Sequence, residues 1–129
     1  MIREIERADM IIDSKKVKGF DSKYENSLKF VIYNYNREKS DNNHEFTSYF
    51  IKDNTLNRIR RSNNSGDYTN INFFLGPGGD NFLCESVKDV SKTKVNFEDK
   101  LINLSLLVGN DVFSYEFETI LSINCLVDY

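Results

Sequence analysis

The sequence predicts a mainly β fold: an antiparallel β-sandwich or strongly curled antiparallel sheet, built from sequential hairpins with room for one or two short helices. Three observations carry that expectation. Apolar residues recur at every second position through several runs, the mark of a half-buried strand. Asn, Asp, Gly and Pro cluster between those runs, where turns need them. Ala8 is the only alanine, so the best helix former is nearly missing, while β-branched and aromatic residues fill the apolar runs. A length of 129 residues fits a single domain, 1–129.

The elements follow in order. Ile2 and Ile5 give a fragment of three-to-four spacing that continues through 9–12, so 2–10 reads as a short helix, with a strand nearly as well supported. Residues 28–35 (LKFVIYNY) are apolar on both faces, which places them centrally in a sheet. The polar segment 34–45 is a loop tip, and 44–52 (HEFTSYFIK) reads as a second strand of the same kind. A strand at 55–61 runs into the turn Asn63-Asn64-Ser65-Gly66-Asp67. In 67–75, Thr69, Ile71, Phe73 and Leu75 share a face opposite Tyr68, Asn70, Asn72 and Phe74. The glycine-rich stretch 76–81 breaks the chain before a strand at 82–87, and 85–91 is a second segment balanced between helix and strand. In 101–108, Ile102, Leu104, Leu106 and Val108 oppose Leu101, Asn103, Ser105 and Leu107. Gly109-Asn110-Asp111 then makes the short connection that joins antiparallel neighbours.

The C-terminus holds the longest uninterrupted alternation. From Val112 to Tyr129 the odd positions are Phe113, Tyr115, Phe117, Thr119, Leu121, Ile123, Cys125, Val127 and Tyr129, without a slip of phase. At roughly 3.3 Å per residue, such a strand would extend about 60 Å, more than a domain of this size is wide. It must therefore bend around a sandwich edge, break near Glu118-Thr119, or run on to pair with another chain.

Charge and composition exclude several function classes. Seventeen basic and 20 acidic side chains leave a net charge of −3 and a pI near 5.2, which argues against nucleic-acid binding. No run approaches the ~18 apolar residues of a membrane span, and the N-terminus lacks the apolar core of a signal peptide. A soluble cytoplasmic chain without a membrane partner is expected. Cys84 and Cys125 lie in apolar runs and read as buried, inert thiols.

His44, the single histidine, lies near Asp41 and Glu45. It can serve as a general base, a metal ligand or a solvated loop residue. The local set falls short of the three or four convergent ligands a metal needs, so the loop reading is preferred. The segment LGPGGDN lacks the lysine of a phosphate loop and reads as a hairpin turn. No cofactor and no metal are expected. Arg58 and Arg60 share one face of their strand while Arg61 joins Ile59, so the pair can clasp phosphates or a carboxylate-rich partner, or simply guard an edge. Tyr68 and Phe74 on the face opposite the expected core, with Tyr24, Tyr33, Tyr35 and Tyr49, supply aromatic contact area.

With no catalytic motif, the sequence points to a non-enzymatic protein-binding module, its partner-binding candidates being Asp41, Glu45, Arg58, Arg60, Tyr68, Glu116 and Glu118. In general profile it is similar to small, motif-poor cytosolic immunity or antitoxin proteins that neutralise a bacterial toxin by occluding it, although no motif carries that similarity. Two alternatives compete. One is a metal-independent nuclease using His44 and Glu45 with Arg58 and Arg60. The other is an assembly subunit of a phage or secretion apparatus, with a homodimer formed through the C-terminal strand.

Overall fold

The computed structural model describes residues 1–69 and 80–129, the side chains of 80–85 excepted. The fold is mainly β, with antiparallel sheets that do not close into a barrel. Helix α1 (Ile2–Glu6) leads into β1 (Met10–Asp13); a 3-10 turn (Ser14–Lys16) and α2 (Phe20–Lys23) follow. Then come β2 (Phe30–Tyr35), β3 (His44–Lys52), β4 (Thr55–Asn63), β5 (Asp80–Glu85), β6 (Val87–Asp89), β7 (Lys94–Asn96), β8 (Leu101–Gly109), β9 (Ser114–Ser122) and β10 (Leu126–Asp128).

One sheet has six strands in the order β10-β1-β2-β3-β4-β5, antiparallel throughout except for the parallel pair β1–β10. As expected, the segment apolar on both faces is central: Phe30, Val31 and Ile32 of β2 are all buried. The register puts Ile11, Phe30, Ile32, Tyr49 and Leu56 on one face, where they pack against Ile5 of α1 and Val87, Ile102 and Leu104 of the second sheet. The other face carries Ile12, Val31, Phe46 and Ile59, and the segment containing Val17, Phe20 and Tyr24 lies over it. Both faces are therefore dry, and the alternation in β3 gives way to four consecutive buried residues, Phe46 to Tyr49.

The β3–β4 hairpin turns on Asp53 and Asn54, both at positive φ (53° and 56°). Two left-handed residues make the primed two-residue turn whose twist suits paired strands, and Asp and Asn tolerate that conformation best after Gly. Ser86, also left-handed (φ 63°), stands where the chain leaves β5 for β6 and changes sheet.

In the second sheet β8 is central. Along one edge it pairs with β6 and β7 placed end to end, and along the other with β9 over nine residue pairs. Thr93 fills the gap between β6 and β7: its hydroxyl donates to the Ser105 carbonyl (3.1 Å) and accepts from the Ser105 amide (3.0 Å). That edge of β8 is sealed.

Several expectations need correcting. Helical spacing at 9–12 is overturned, since Met10–Asp13 is a strand; only Ile2–Glu6 is helical. The balanced segment 85–91 contains the strand Val87–Asp89. The long C-terminal run does not break near Glu118-Thr119. It continues through Ser122, loses strand geometry over the next three residues, and crosses to the other sheet as β10. The expected strand at 67–75 and the turn at 76–81 fall largely outside the described residues, as do Phe74 and the side chain of Cys84. Cys125 is half-buried at the margin of the main core.

Candidate functional site

The residues proposed from sequence do not converge. Arg58 and Arg60 do share a face, but it is the inner one, and the carboxylate they clasp belongs to this chain. Glu4 of α1 receives Arg58 Nη1 at 3.5 Å and Arg60 Nη2 at 3.4 Å, with the N-terminal ammonium at 3.6 Å. The Tyr49 hydroxyl also donates to Glu4. Burial pushes the Glu4 carboxyl upward, but the Tyr49 hydroxyl, Arg58, the terminal ammonium and Arg60 together hold it below the ordinary glutamate range. Burial, followed by the bond to Glu4, drives the Tyr49 phenol far above the usual tyrosine range. This network fastens α1 onto β3 and β4.

His44 occupies the opposite face from Glu45, Arg58 and Arg60, because it alternates with Glu45 along β3 and pairs with Asn63. Its Nδ1 lies 2.7 Å from the Tyr33 hydroxyl, in a hydrogen bond, and its ring contacts Tyr33 and Tyr35. The phosphodiester constellation is thus split across the sheet. Glu45 is paired with Lys39 at 3.0 Å near the hairpin tip that carries the exposed Asp41. Half-buried Tyr68 packs on Phe46 and donates to Asp128; burial and that carboxylate push its phenol up to about 12. Among the described residues no group of three or more His, Cys, Asp or Glu side chains converges in a way that could hold a metal. Nor, among the described residues, is any helix long and apolar enough to cross a membrane.

Glu116 and Glu118 remain, and both lie on β9. This strand pairs with β8 alone among the described residues. At nine residues it is longer than β5 (six) and β10 (three), the edge strands of the other sheet. The backbone phase fixes which groups are open. The Asn110 amide donates to the Phe113 carbonyl at 2.9 Å and the Ile123 amide to the Lys100 carbonyl at 2.8 Å, so odd residues of β9 point their amides at β8. The amides and carbonyls of Ser114, Glu116, Glu118, Ile120 and Ser122 consequently point away from the sheet.

Side chains on β9 divide by face. Tyr115 and Phe117 oppose Val108 and Leu106, on the core side. Yet they are 58% and 43% exposed: Leu106, opposite Phe117, packs against the core only as a partly buried side chain, and the first half of β9 overhangs it. Phe113, at 62%, extends the ledge. The outer face presents Glu116, Glu118 and Ile120, the last 68% exposed. Lys92 pairs with Glu116 across the sheet, and its ammonium is raised first by that residue and further by Glu118 and Asp89; Lys94 lies farther along the same face, level with Ile120. Beyond Ile120, a shallow groove runs along Asn96, Phe97, Leu101 and Asn103 to Tyr129, whose ring stacks on Phe97 at 5.5 Å.

Sequence reasoning singled out the two glutamates but missed the aromatics beside them, since period-two alternation assigns Tyr115 and Phe117 to a core. The excess length of the C-terminal run was the available signal. No protein-family model matches the chain, and neither a curated protein nor a solved structure does.

Proposed function

We propose that the chain is a non-enzymatic protein-binding module that takes up an extended segment of its partner by strand addition to β9. One observation carries this reading: a regular nine-residue edge strand, without proline or bulge, whose outward backbone groups lie beside exposed aromatic rings. Unprotected edges template pairing, and proteins that do not use them shorten, twist or cover them. Each hydrogen bond gained contributes about 0.5–1.5 kcal/mol net, and covering an aromatic ring adds about 1–2 kcal/mol. Neutralising a toxin domain by lying across its cleft is one task for such a module, and the net charge of −3 suits a basic partner.

Selection of random peptides displayed on phage tests the reading. Recovered binders should be free of proline and should lose affinity for the Glu118→Pro variant. Proline there removes an outward amide, not a bond to β8, so the sheet survives while addition is blocked. Binders indifferent to that substitution would contradict strand addition.

A further inference from the structure

From the charge pattern along β9 we infer what the edge accepts: an extended segment of another protein in which basic and apolar side chains alternate. The inference rests on strand addition as proposed above and goes on to name the chemistry of the occupant.

The open amides belong to the same residues that carry the carboxylates. Glu116 and Glu118 both point their backbone groups outward, so an antiparallel newcomer places a residue directly opposite each, in a hydrogen-bonded pair on the outer face. Those two facing side chains meet a strip where Lys92 pairs with Glu116 and feels the charges of Glu118 and Asp89, while Lys94 lies farther along the same face, level with Ile120. Among the described residues Glu118 makes no hydrogen bond or ion pair of its own. Lysine or arginine opposite these positions is attracted, and glutamate or aspartate is repelled. The newcomer's intervening side chains fall on the other face, beside Tyr115 and Phe117, where apolar groups are favoured.

The same carboxylates disfavour a second copy of this chain. Full antiparallel overlap of two β9 strands sets Glu118 opposite Glu118 of the other copy, with each Glu116 diagonal to it. Four like charges then share one strip, and like charges directly opposite destabilise a pair. An edge that repels itself and attracts basic strands combines protection against self-association with selection of a partner.

Three end-blocked nine-residue peptides test this by fluorescence anisotropy against the intact chain. One alternates lysine and valine, one alternates glutamate and valine, and the third is the lysine peptide N-methylated at its lysine amides. The lysine peptide should bind at least about tenfold more tightly than the glutamate peptide, and N-methylation should abolish binding. The Glu116→Gln/Glu118→Gln variant, altered only at exposed side chains, should bring the two unmethylated peptides within about twofold. Equal binding of the lysine and glutamate peptides to the unaltered chain overturns the basic partner while leaving strand addition intact. Undiminished binding of the N-methylated peptide shows charge adsorption alone and overturns both. Sedimentation equilibrium showing a dimer that Glu118→Pro dissociates makes the second copy the occupant, contrary to the proposal. Failure of all three peptides, with proline-sensitive binders still recovered from the random display, overturns only the basic–apolar pattern.

Discussion

Glu4 shows how one carboxylate on a five-residue helix can hold that helix in place. The helix has no side-chain cap and is too short to be stable alone. Its attachment therefore depends on Ile5 in the core and on Glu4 among Tyr49, Arg58 and Arg60. Replacing Glu4 by Gln should cost about 1–2 kcal/mol at pH 7, measured by urea unfolding, because Arg58 is left partly buried without its counter-charge. The pH dependence follows from the lowered carboxyl: its stabilisation is present above the ordinary glutamate range and is lost as pH falls through the depressed folded value. Unfolding curves of Glu4→Gln and the unaltered chain should therefore approach each other on acidification. Tyr49 acts in the opposite sense, since its raised phenol contributes stability below the ordinary tyrosine range that is lost at alkaline pH. Gly66 is a second sensitive residue. It sits at φ +75°, and an added Cβ would lie 2.9 Å from His44 Nδ1. Gly66→Ala should cost about 1–2 kcal/mol and shift the His44 ring resonances, as the imidazole is pushed off the Tyr33 hydroxyl.

At the scale of elements, the β3–β4 turn offers a clean test of local chemistry. Both central residues are left-handed, so Asn54→Gly should stabilise the chain by about 0.5–1 kcal/mol, read as a rise in melting temperature. Much at this scale was legible from residues alone: the central position of 28–35, the strands at 44–52 and 101–108, the short connection after Gly109, and the shared face of Arg58 and Arg60. What alternation cannot convey is whether a face is covered. Tyr115 and Phe117 carry the core phase but overhang the core, whereas Tyr24 and Tyr49, expected to supply contact area, are buried. Met10–Asp13 was missed because MIID is too short and too uniformly apolar to show a period, and its pairing with β2 comes from tertiary context.

At the scale of the molecule, the chain changes sheets twice among the described residues, at Ser86 and between β9 and β10, and neither crossing is visible in local pattern. The second crossing matters more, because it ties the two sheets together. Val127 packs against the main core, and Asp128 accepts from Tyr68 and pairs with Lys16 at 3.6 Å. Ending the chain at Cys125 removes these contacts and the ladder to β1, and should lower stability by about 2–4 kcal/mol in urea while leaving the β8–β9 hairpin formed. The candidate site was half legible: Glu116 and Glu118 were named, but the open edge that gives them a role emerges only once β9 is seen to have a single neighbour among the described residues. The most direct measurement is residue-resolved amide hydrogen exchange along β9 in the chain on its own. Ser114, Glu116, Glu118, Ile120 and Ser122 should exchange rapidly while Tyr115, Phe117, Thr119 and Leu121 between them are protected. Uniform protection of all nine would mean the edge is already occupied and would contradict the account.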